Sequence, residues 1–325
     1  MRYKQLPQTD LSPSLLALGT VSFGTAIDSS TAFYFLDTFF EHGGTFIDTA
    51  HIYGAWAPGG LGLTERLIGH WLKTRNIREQ IIVSTKGAHP QLSSMHISRL
   101  SSQEIITDLE ESLRCLQTDK IDLYWLHRDD PEQPVAALLE TLEEQVRKGK
   151  IRYFGCSNWR VQRLKEAGQY AATHSITGFV GNQVMWSLAV PNLEALEDPT
   201  IVAMDAQMLE FHRTTDLAIL AYSAQAHGFF AKASSDPEAL PTPLRKLYWN
   251  VENRERLRRL QEVAREVSLP LSVIALAYLA NQSLPTFPIF GCATREQLLE
   301  NMEAADVELN AETLRYLETG QVPHS

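Results

Sequence analysis

SSQEIITDLEESLRCLQTDKIDLYWLH, residues 101–127, carries both halves of one structural unit. Its first part opens with Ser101 and Glu104 at capping-box spacing and sets Ile105, Leu109, Leu113 and Leu116 on one helical face. Its last part, residues 121–127, is too short for a core helix and mixes Ile, Leu, Tyr and Trp, the composition of a buried strand. The strand then stops on a polar residue, His127.

The same unit recurs outward in both directions. Residues 134–149 begin with Pro134 at a first-turn position, repeat Leu138, Leu139, Leu142 and Val146, and stop at Gly149. Further helical patterns fall at 30–42, 61–75, 159–174, 198–213, 253–268, 271–282 and 294–304. Between them lie TFIDTA (45–50), IIVSTK (81–86), IRYFGCSN (151–158), GFVGNQVMWS (178–187), LAILAYSA (217–224) and FPIFGCA (287–293), with the less apolar ALGTVSFG (17–24) as an eighth strand. Strand and helix alternating about eight times, with no composition break, predict an α/β chain folded as one (β/α)8 TIM barrel over residues 1–325. An N-terminal β-hairpin precedes it and extra C-terminal helices follow. One long connection, about 228–252, reads as a loop on the catalytic face. A doubly wound sheet would need a Gly-rich phosphate fingerprint directly after a strand, and Gly59, Gly60 and Gly62 lack that spacing, so they read as a loop and a helix start.

Composition narrows the function classes. The 325 residues are 44% hydrophobic and 21% charged, a globular balance, and 29 Lys+Arg against 39 Asp+Glu give a net charge of −10. That charge argues against nucleic acid or an anionic membrane as a general partner. Cys115, Cys156 and Cys292 form no CxxC pair, so neither a disulfide framework nor a zinc cluster is suggested and a reduced, cytoplasmic location is expected. The N-terminus lacks an apolar targeting core, and no stretch reaches the roughly 18 apolar residues of a membrane span.

In such a barrel chemistry sits where the strands end. The strand ends here carry Asp48 with Tyr53 just beyond, Lys86, His127, Ser157 with Asn158, Gln183, Tyr222 with Ser223, and the turn from Gly291 to Arg295. A phenol titrates near pH 10, an ammonium within hydrogen-bonding reach favours its phenolate, and a carboxylate behind the ammonium keeps that cation charged and aimed. Tyr53, Lys86 and Asp48 supply those three groups, and a neutral His127 can donate to the same carbonyl oxygen.

Together these residues and their order resemble the aldo-keto reductases, (β/α)8 barrels that reduce aldehydes and ketones with a nicotinamide dinucleotide. The similarity runs from LALGTVSFG (16–24) through FIDTAHIYG (46–54), TERLIG (64–69), IIVSTK (81–86), IDLYWLH (121–127), GKIRYFGCSNW (149–159), NQVMWSL (182–188) and AYS (221–223) to the region near 310. It implies reversible NAD(P)H-dependent carbonyl reduction with Asp48, Tyr53, Lys86 and His127 as the catalytic tetrad and Tyr53 as general acid/base. It further implies that Ser157, Asn158 and Gln183 bind the nicotinamide carboxamide, that Tyr222 stacks on its ring, and that Gly19, Thr20 and Asp48 lie close by. Ser223, Gly291, Thr294, Arg295, Gln297 and Asn301 then belong to the pyrophosphate and adenosine end.

Two segments depart from the family pattern. After AYS this chain continues Ala224-Gln225-Ala226-His227-Gly228, where relatives usually have Pro-Leu and Gly-Leu. In GCATREQLLEN (291–301) the positions where NADPH-preferring members place Lys or Arg are Gly291 or Ala293 and Gln297, which leaves Arg295 and the helix N-terminus for a phosphate. NADP(H) is therefore the family expectation, with NAD(H) possible and no metal. The expected partner is a small-molecule carbonyl substrate. Trp56, Trp159, Trp186 and Trp249 are candidate substrate contacts, Trp56 foremost, and the Arg128-Asp129-Asp130 turn leans toward a polyol or sugar-like carbonyl. A cofactor-binding regulatory or redox-sensing protein with little turnover is the alternative on the same barrel. A metal-dependent hydrolase using Asp48, His51 and His127 is disfavoured by the neighbouring Lys86. Physiological substrate, reaction direction and oligomeric state are not written in these motifs.

Overall fold

The computed structural model describes residues 1–321. Eight parallel strands, β1 (Ala17–Gly19), β2 (Phe46–Asp48), β3 (Ile82–Gly87), β4 (Ile121–Leu126), β5 (Ile151–Ser157), β6 (Phe179–Met185), β7 (Ala218–Tyr222) and β8 (Thr286–Phe290), close into a barrel in chain order. β8 pairs back onto β1 through Phe290 opposite Leu18. The first five helices, α1 (Ser29–Glu41), α2 (Leu63–Arg75), α3 (Ser102–Leu116), α4 (Val135–Arg147) and α5 (Val161–His174), fall where the periodicity puts them. Ser101 caps α3, its hydroxyl donating to the Glu104 carboxylate at 2.6 Å and accepting from the Glu104 N–H at 3.3 Å. Gly149 ends the turn after α4 with φ of +74°, which glycine adopts without a Cβ clash.

The remaining helices are α6 (Ala206–Arg213), α7 (Phe229–Ser235), α8 (Thr242–Tyr248), α9 (Val251–Val267), α10 (Leu271–Ala280), α11 (Arg295–Glu303) and α12 (Ala311–Thr319). Two expectations change here. The helix expected over 198–213 begins only at Ala206, because Asp198 folds a turn onto Thr200 at 2.9 Å and is drawn into an ion pair with Arg128 at 3.0 Å. Pro199 follows it immediately. The connection expected as a loop at 228–252 contains α7 and α8, which bury Phe229, Phe230, Ala233, Leu244 and Tyr248. No single helix among the described residues is long and apolar enough to cross a membrane; α9 and α10 pass such a test only as a pair bent by 98°.

The N-terminal hairpin is held by Lys4 N–H to Pro13 carbonyl at 3.1 Å, Leu6 N–H to Leu11 carbonyl at 2.9 Å and Leu15 N–H to Arg2 carbonyl at 2.8 Å. It places Leu6 and Leu11 in one buried cluster with Phe46, Leu123, Trp125 and Phe287, so the lower barrel interior is apolar. Trp125 fits because β5 and β6 offer glycines: a Cβ on Gly155 would lie 2.1 Å from its indole, and one on Gly181 2.9 Å. The polar interior groups are therefore left to the C-terminal ends of the strands.

Candidate active site

Parallel register sets Asp48 opposite Ser84 and Lys86 opposite Trp125. Asp48 is 2% exposed, and its two oxygens are fully engaged. Oδ1 accepts from Ser84 Oγ at 2.7 Å and Gln183 Nε2 at 2.9 Å, and Oδ2 accepts from Lys86 Nζ at 2.6 Å. Trp125 Nε1 donates to Ser84 Oγ at 2.7 Å, so indole, hydroxyl and carboxylate form a line rising from the barrel interior. Thr20 adds its N–H at 3.1 Å and hydroxyl at 3.0 Å to the Asp48 carbonyl. Ser84 and Trp125 were hidden in the sequence inside apolar strand runs; only the period-two alternation marked them as inward-facing.

Lys86 Nζ also donates to the Thr49 carbonyl at 2.7 Å and to Tyr53 Oη at 3.2 Å. Burial by itself would push this ammonium below its ordinary pKa, but the Asp48 charge and Tyr53 outweigh it and hold Lys86 above the usual lysine value. Tyr53 stands on the loop between β2 and α2, where Gly54 and Gly60 touch backbone to backbone. A Cβ on Gly60 would lie 1.9 Å from the Gly54 carbonyl, so neither position has room for a side chain. Behind this loop His51 meets Glu65 at 3.1 Å and Glu111 at 3.0 Å, and buried Glu65 accepts from Thr85 Oγ1 at 2.6 Å. Burial would lower the His51 pKa, yet Glu65, Asp108 and Glu111 raise it above the ordinary value. His51 thus anchors the loop rather than joining Asp48 and His127 in a metal site. Among the described residues no group of three or more His, Cys, Asp or Glu is placed to hold a metal ion.

His127 follows β4, its N–H bonded to the Gly87 carbonyl at 3.0 Å and its ring 6.1 Å from that of Tyr53. Burial first, then the charge of Arg128, with Lys86 adding to it, hold it well below the ordinary imidazole pKa, so it is neutral at pH 7. Its Nδ1 is enclosed without a hydrogen-bond partner. His89, which the sequence reading passed over, packs edge-on against it with ring centroids 4.6 Å apart.

The next strand ends gather the amide groups. Asn158, at φ +62°, donates to Ser157 Oγ at 3.0 Å, and its Oδ1 accepts from Tyr222 Oη at 2.6 Å and Val202 N–H at 3.0 Å. Ser157 Oγ donates to the Gln183 carbonyl at 3.0 Å. Tyr222 is therefore a half-buried aromatic face fixed at its hydroxyl, beside three amide or hydroxyl groups and Ser223 at φ +53°. Gly19 lies where a Cβ would meet Ile289 at 2.9 Å. Further round, Asn301 donates to the Gly291 carbonyl at 3.2 Å and accepts from Gln225 Nε2 at 2.7 Å, which gives the unusual Gln225 a role in the loop after β7. Thr294 caps α11 by accepting from Gln297 N–H at 3.3 Å, while Gln297 Oε1 accepts from Ala293 N–H at 2.8 Å. The Arg295 guanidinium lies 5.1 Å from the Tyr34 ring centroid.

The tryptophans divide. Trp56 is 52% exposed on the loop that carries Tyr53. Trp159 is fully buried against Phe179, and Trp186 packs in the core against Tyr278, so these two expected substrate contacts are structural in this structure. Both indoles belong to the main buried apolar cluster. Trp249 has the guanidinium groups of Arg245 and Arg254 at 5.5 and 5.7 Å from its ring centroid. The expected polar rim is internally spent: Arg128 binds Asp198 and Thr200, and Asp129 pairs with Arg163.

A family model described as "Aldo/keto reductase family" matches residues 15–319. The chain belongs to this family. It is an NAD(P)-dependent oxidoreductase acting on small-molecule carbonyl substrates, and its fold is the family's barrel. Among similar proteins, the uncharacterized oxidoreductase YrpG of Bacillus subtilis (strain 168) is 32% identical over 98% of this chain and 95% of its own. Norsolorinic acid reductase A of Aspergillus parasiticus is 28% identical over 97% of this chain and 79% of its own. The crystal structure of the thermostable aldo-keto reductase Tm1743 with the inhibitor epalrestat superposes with a TM-score of 0.72 at 27% identity, covering 98% of this chain and 99% of that one.

Proposed function

We propose that this aldo/keto reductase reduces an apolar or aromatic aldehyde or ketone reversibly, with Tyr53 as proton donor. The observation that carries the reading is the buried chain from Asp48 through Lys86 to the Tyr53 hydroxyl, at 2.6 and 3.2 Å. When bound, the nicotinamide dinucleotide supplies or accepts the hydride. Tyr53 gives its proton to the developing alkoxide, and the Lys86 ammonium stabilises the phenolate left behind. Asp48 keeps that ammonium charged and aimed. Neutral His127 donates from Nε2 to the carbonyl oxygen: its enclosed Nδ1 has no partner, and an orphan acceptor costs less there than an orphan N–H.

The donor set fits the dinucleotide. Tyr222 offers an anchored aromatic face, and Ser157, Asn158 and Gln183 offer groups complementary to a carboxamide, with Gly19 and Thr20 beneath. Ser223, Gly291, Thr294, Arg295, Gln297 and Asn301 would serve the far end. NADP(H) is the family norm, yet Gln297 is spent on its own helix cap and Arg295 rests on Tyr34 beside the first-turn carboxylate of Glu296, so discrimination against NAD(H) is weak. For the substrate, Trp56, Leu61, Leu92, Ile97 and Leu193 stand exposed on loops after β2, β3 and β6, an apolar fringe suited to an aromatic body. Relatives named norsolorinic acid reductase and aryl-alcohol dehydrogenase point the same way.

The test is Tyr53→Phe. Benzaldehyde turnover should fall by about 10²–10⁴-fold, the range for a lost general acid. Nicotinamide fluorescence titrations should give unchanged affinity for NADPH, and NADH within roughly tenfold of it, a difference of about 1.4 kcal/mol. Wild-type turnover in the variant would overturn the mechanism; tight dinucleotide binding without turnover in the parent protein would favour a regulatory role.

A further inference from the structure

β3 ends in an unusual way. Ala88 adopts φ +58°, a left-handed conformation that a residue with a Cβ holds only when its surroundings insist. Asp108 supplies the insistence: its Oδ2 accepts from the Ala88 N–H at 2.8 Å, and both its oxygens are held by Arg99 at 2.6 and 2.9 Å. The same Arg99 donates to the His89 carbonyl at 3.1 Å. A strained residue, a partly buried ion pair and a proline thus fix one side chain, that of His89, against His127.

The tautomer of His89 is set by geometry. Its Nδ1 is 2.6 Å from the Pro90 carbonyl, which only accepts, so Nδ1 carries the proton and Nε2 is a bare acceptor. Burial, then the Arg128 charge, pushes the His89 pKa down to about 4, so the ring stays neutral at pH 7. Among the described residues Nε2 of His89 has no hydrogen-bond partner, and it is not one of the sealed, unpartnered atoms that include His127 Nδ1. A donor, His127 Nε2–H, and an acceptor, His89 Nε2, thus stand on two rings packed edge to face.

A carbonyl oxygen and a hydroxyl on the neighbouring carbon, or at the ortho position of an aryl carbonyl, present the complementary acceptor and donor about 2.7 Å apart. We propose that His89 is a specificity-determining residue that accepts a hydrogen bond from such a hydroxyl, so that this chain favours 2-hydroxy and ortho-hydroxyaryl carbonyls. The proposal rests on the reductase reading above and narrows its substrate.

The experiment compares kcat/KM for 2-hydroxybenzaldehyde and benzaldehyde, and for hydroxyacetone and butanone, in the parent protein, His89→Phe and His89→Gln. The parent should favour the hydroxylated member of each pair by about tenfold or more, beyond the ratio of their rates with borohydride. His89→Phe, which keeps an aromatic ring and loses the acceptor, should bring the ratio down to the borohydride value, and His89→Gln should restore part of it. A ratio that His89→Phe leaves untouched overturns the assignment, including the case in which both rates fall together. Turnover of neither pair with NADPH or NADH overturns the reductase reading itself, and this proposal with it.

Discussion

At the scale of single residues, the site is a set of buried charges that tolerate burial only together. Lys86 and Asp48 are 1% and 2% exposed, and each would be costly to enclose alone. Lys86→Met should therefore destabilise the fold by about 3–5 kcal/mol, because it strands the Asp48 carboxylate. Adding Asp48→Asn should recover much of that stability and none of the turnover. Urea denaturation of the three proteins checks this, and a Lys86→Met variant as stable as its parent would contradict it. Asp48, Lys86 and His127 were legible in the sequence because each stands at the end of an apolar run, a place where bulk hydrophobicity gives no reason for an acid, an amine or an imidazole, and Tyr53 because it follows Asp48 in FIDTAHIYG. Ser84, Trp125 and His89 were not: a serine or tryptophan inside a strand and a histidine after it look like packing until partners from other strands are known.

At the scale of elements, the inner face of β4 and β5 links fold to site. Trp125 rests over Gly155 and Gly181 and hands its N–H to Ser84, which orients Asp48. Gly155→Ala introduces a methyl 2.1 Å from the indole and 2.7 Å from the Gly181 carbonyl. Overpacking of this kind costs about 1–3 kcal/mol, and it should lower kcat as well by tilting Ser84 away from Asp48. Thermal unfolding together with turnover tests the coupling; loss of stability with kcat intact would separate the two. The helices α1 to α5 were readable from caps and periodicity. α6 was overestimated because the claim of Arg128 on Asp198, across two loops, competes with helix propensity and prevails. α7 and α8 were missed because seven residues are too few to show a period.

For the whole molecule, buried histidines set the response to acid. Burial pushes His89 and His212 down to about 4 and lowers His127 and His227, so the unfolded chain, titrating near 6.5, binds protons first. Stability from these groups is complete above about pH 6.5 and is lost as the pH falls toward 4, by roughly 3 kcal/mol each for His89 and His212 at the limit. His51 has the opposite sign: raised by its acidic neighbours, it stabilises the fold below about 6.5 and gives that up as the pH climbs through its folded value. The urea midpoint should accordingly peak near neutrality and drop steeply between about pH 6 and 4. A midpoint constant from 7 to 5 would contradict the buried, neutral assignment.

The order of the strands and of helices α1 to α5, the residues at the strand ends and the family they resemble were determined by the sequence alone, since each depends on local period, caps and the spacing of a few motifs. Which polar groups meet was decided by the tertiary structure. Barrel closure fixes the register between strands and sets Asp48 beside Ser84, Gln183 and Lys86, and the packing of loops on helices turns His51 toward Glu65 and His89 toward His127. Hydrogen bonds and desolvation act over a few ångströms between residues as far apart as 135 positions in the chain, a distance no local pattern encodes.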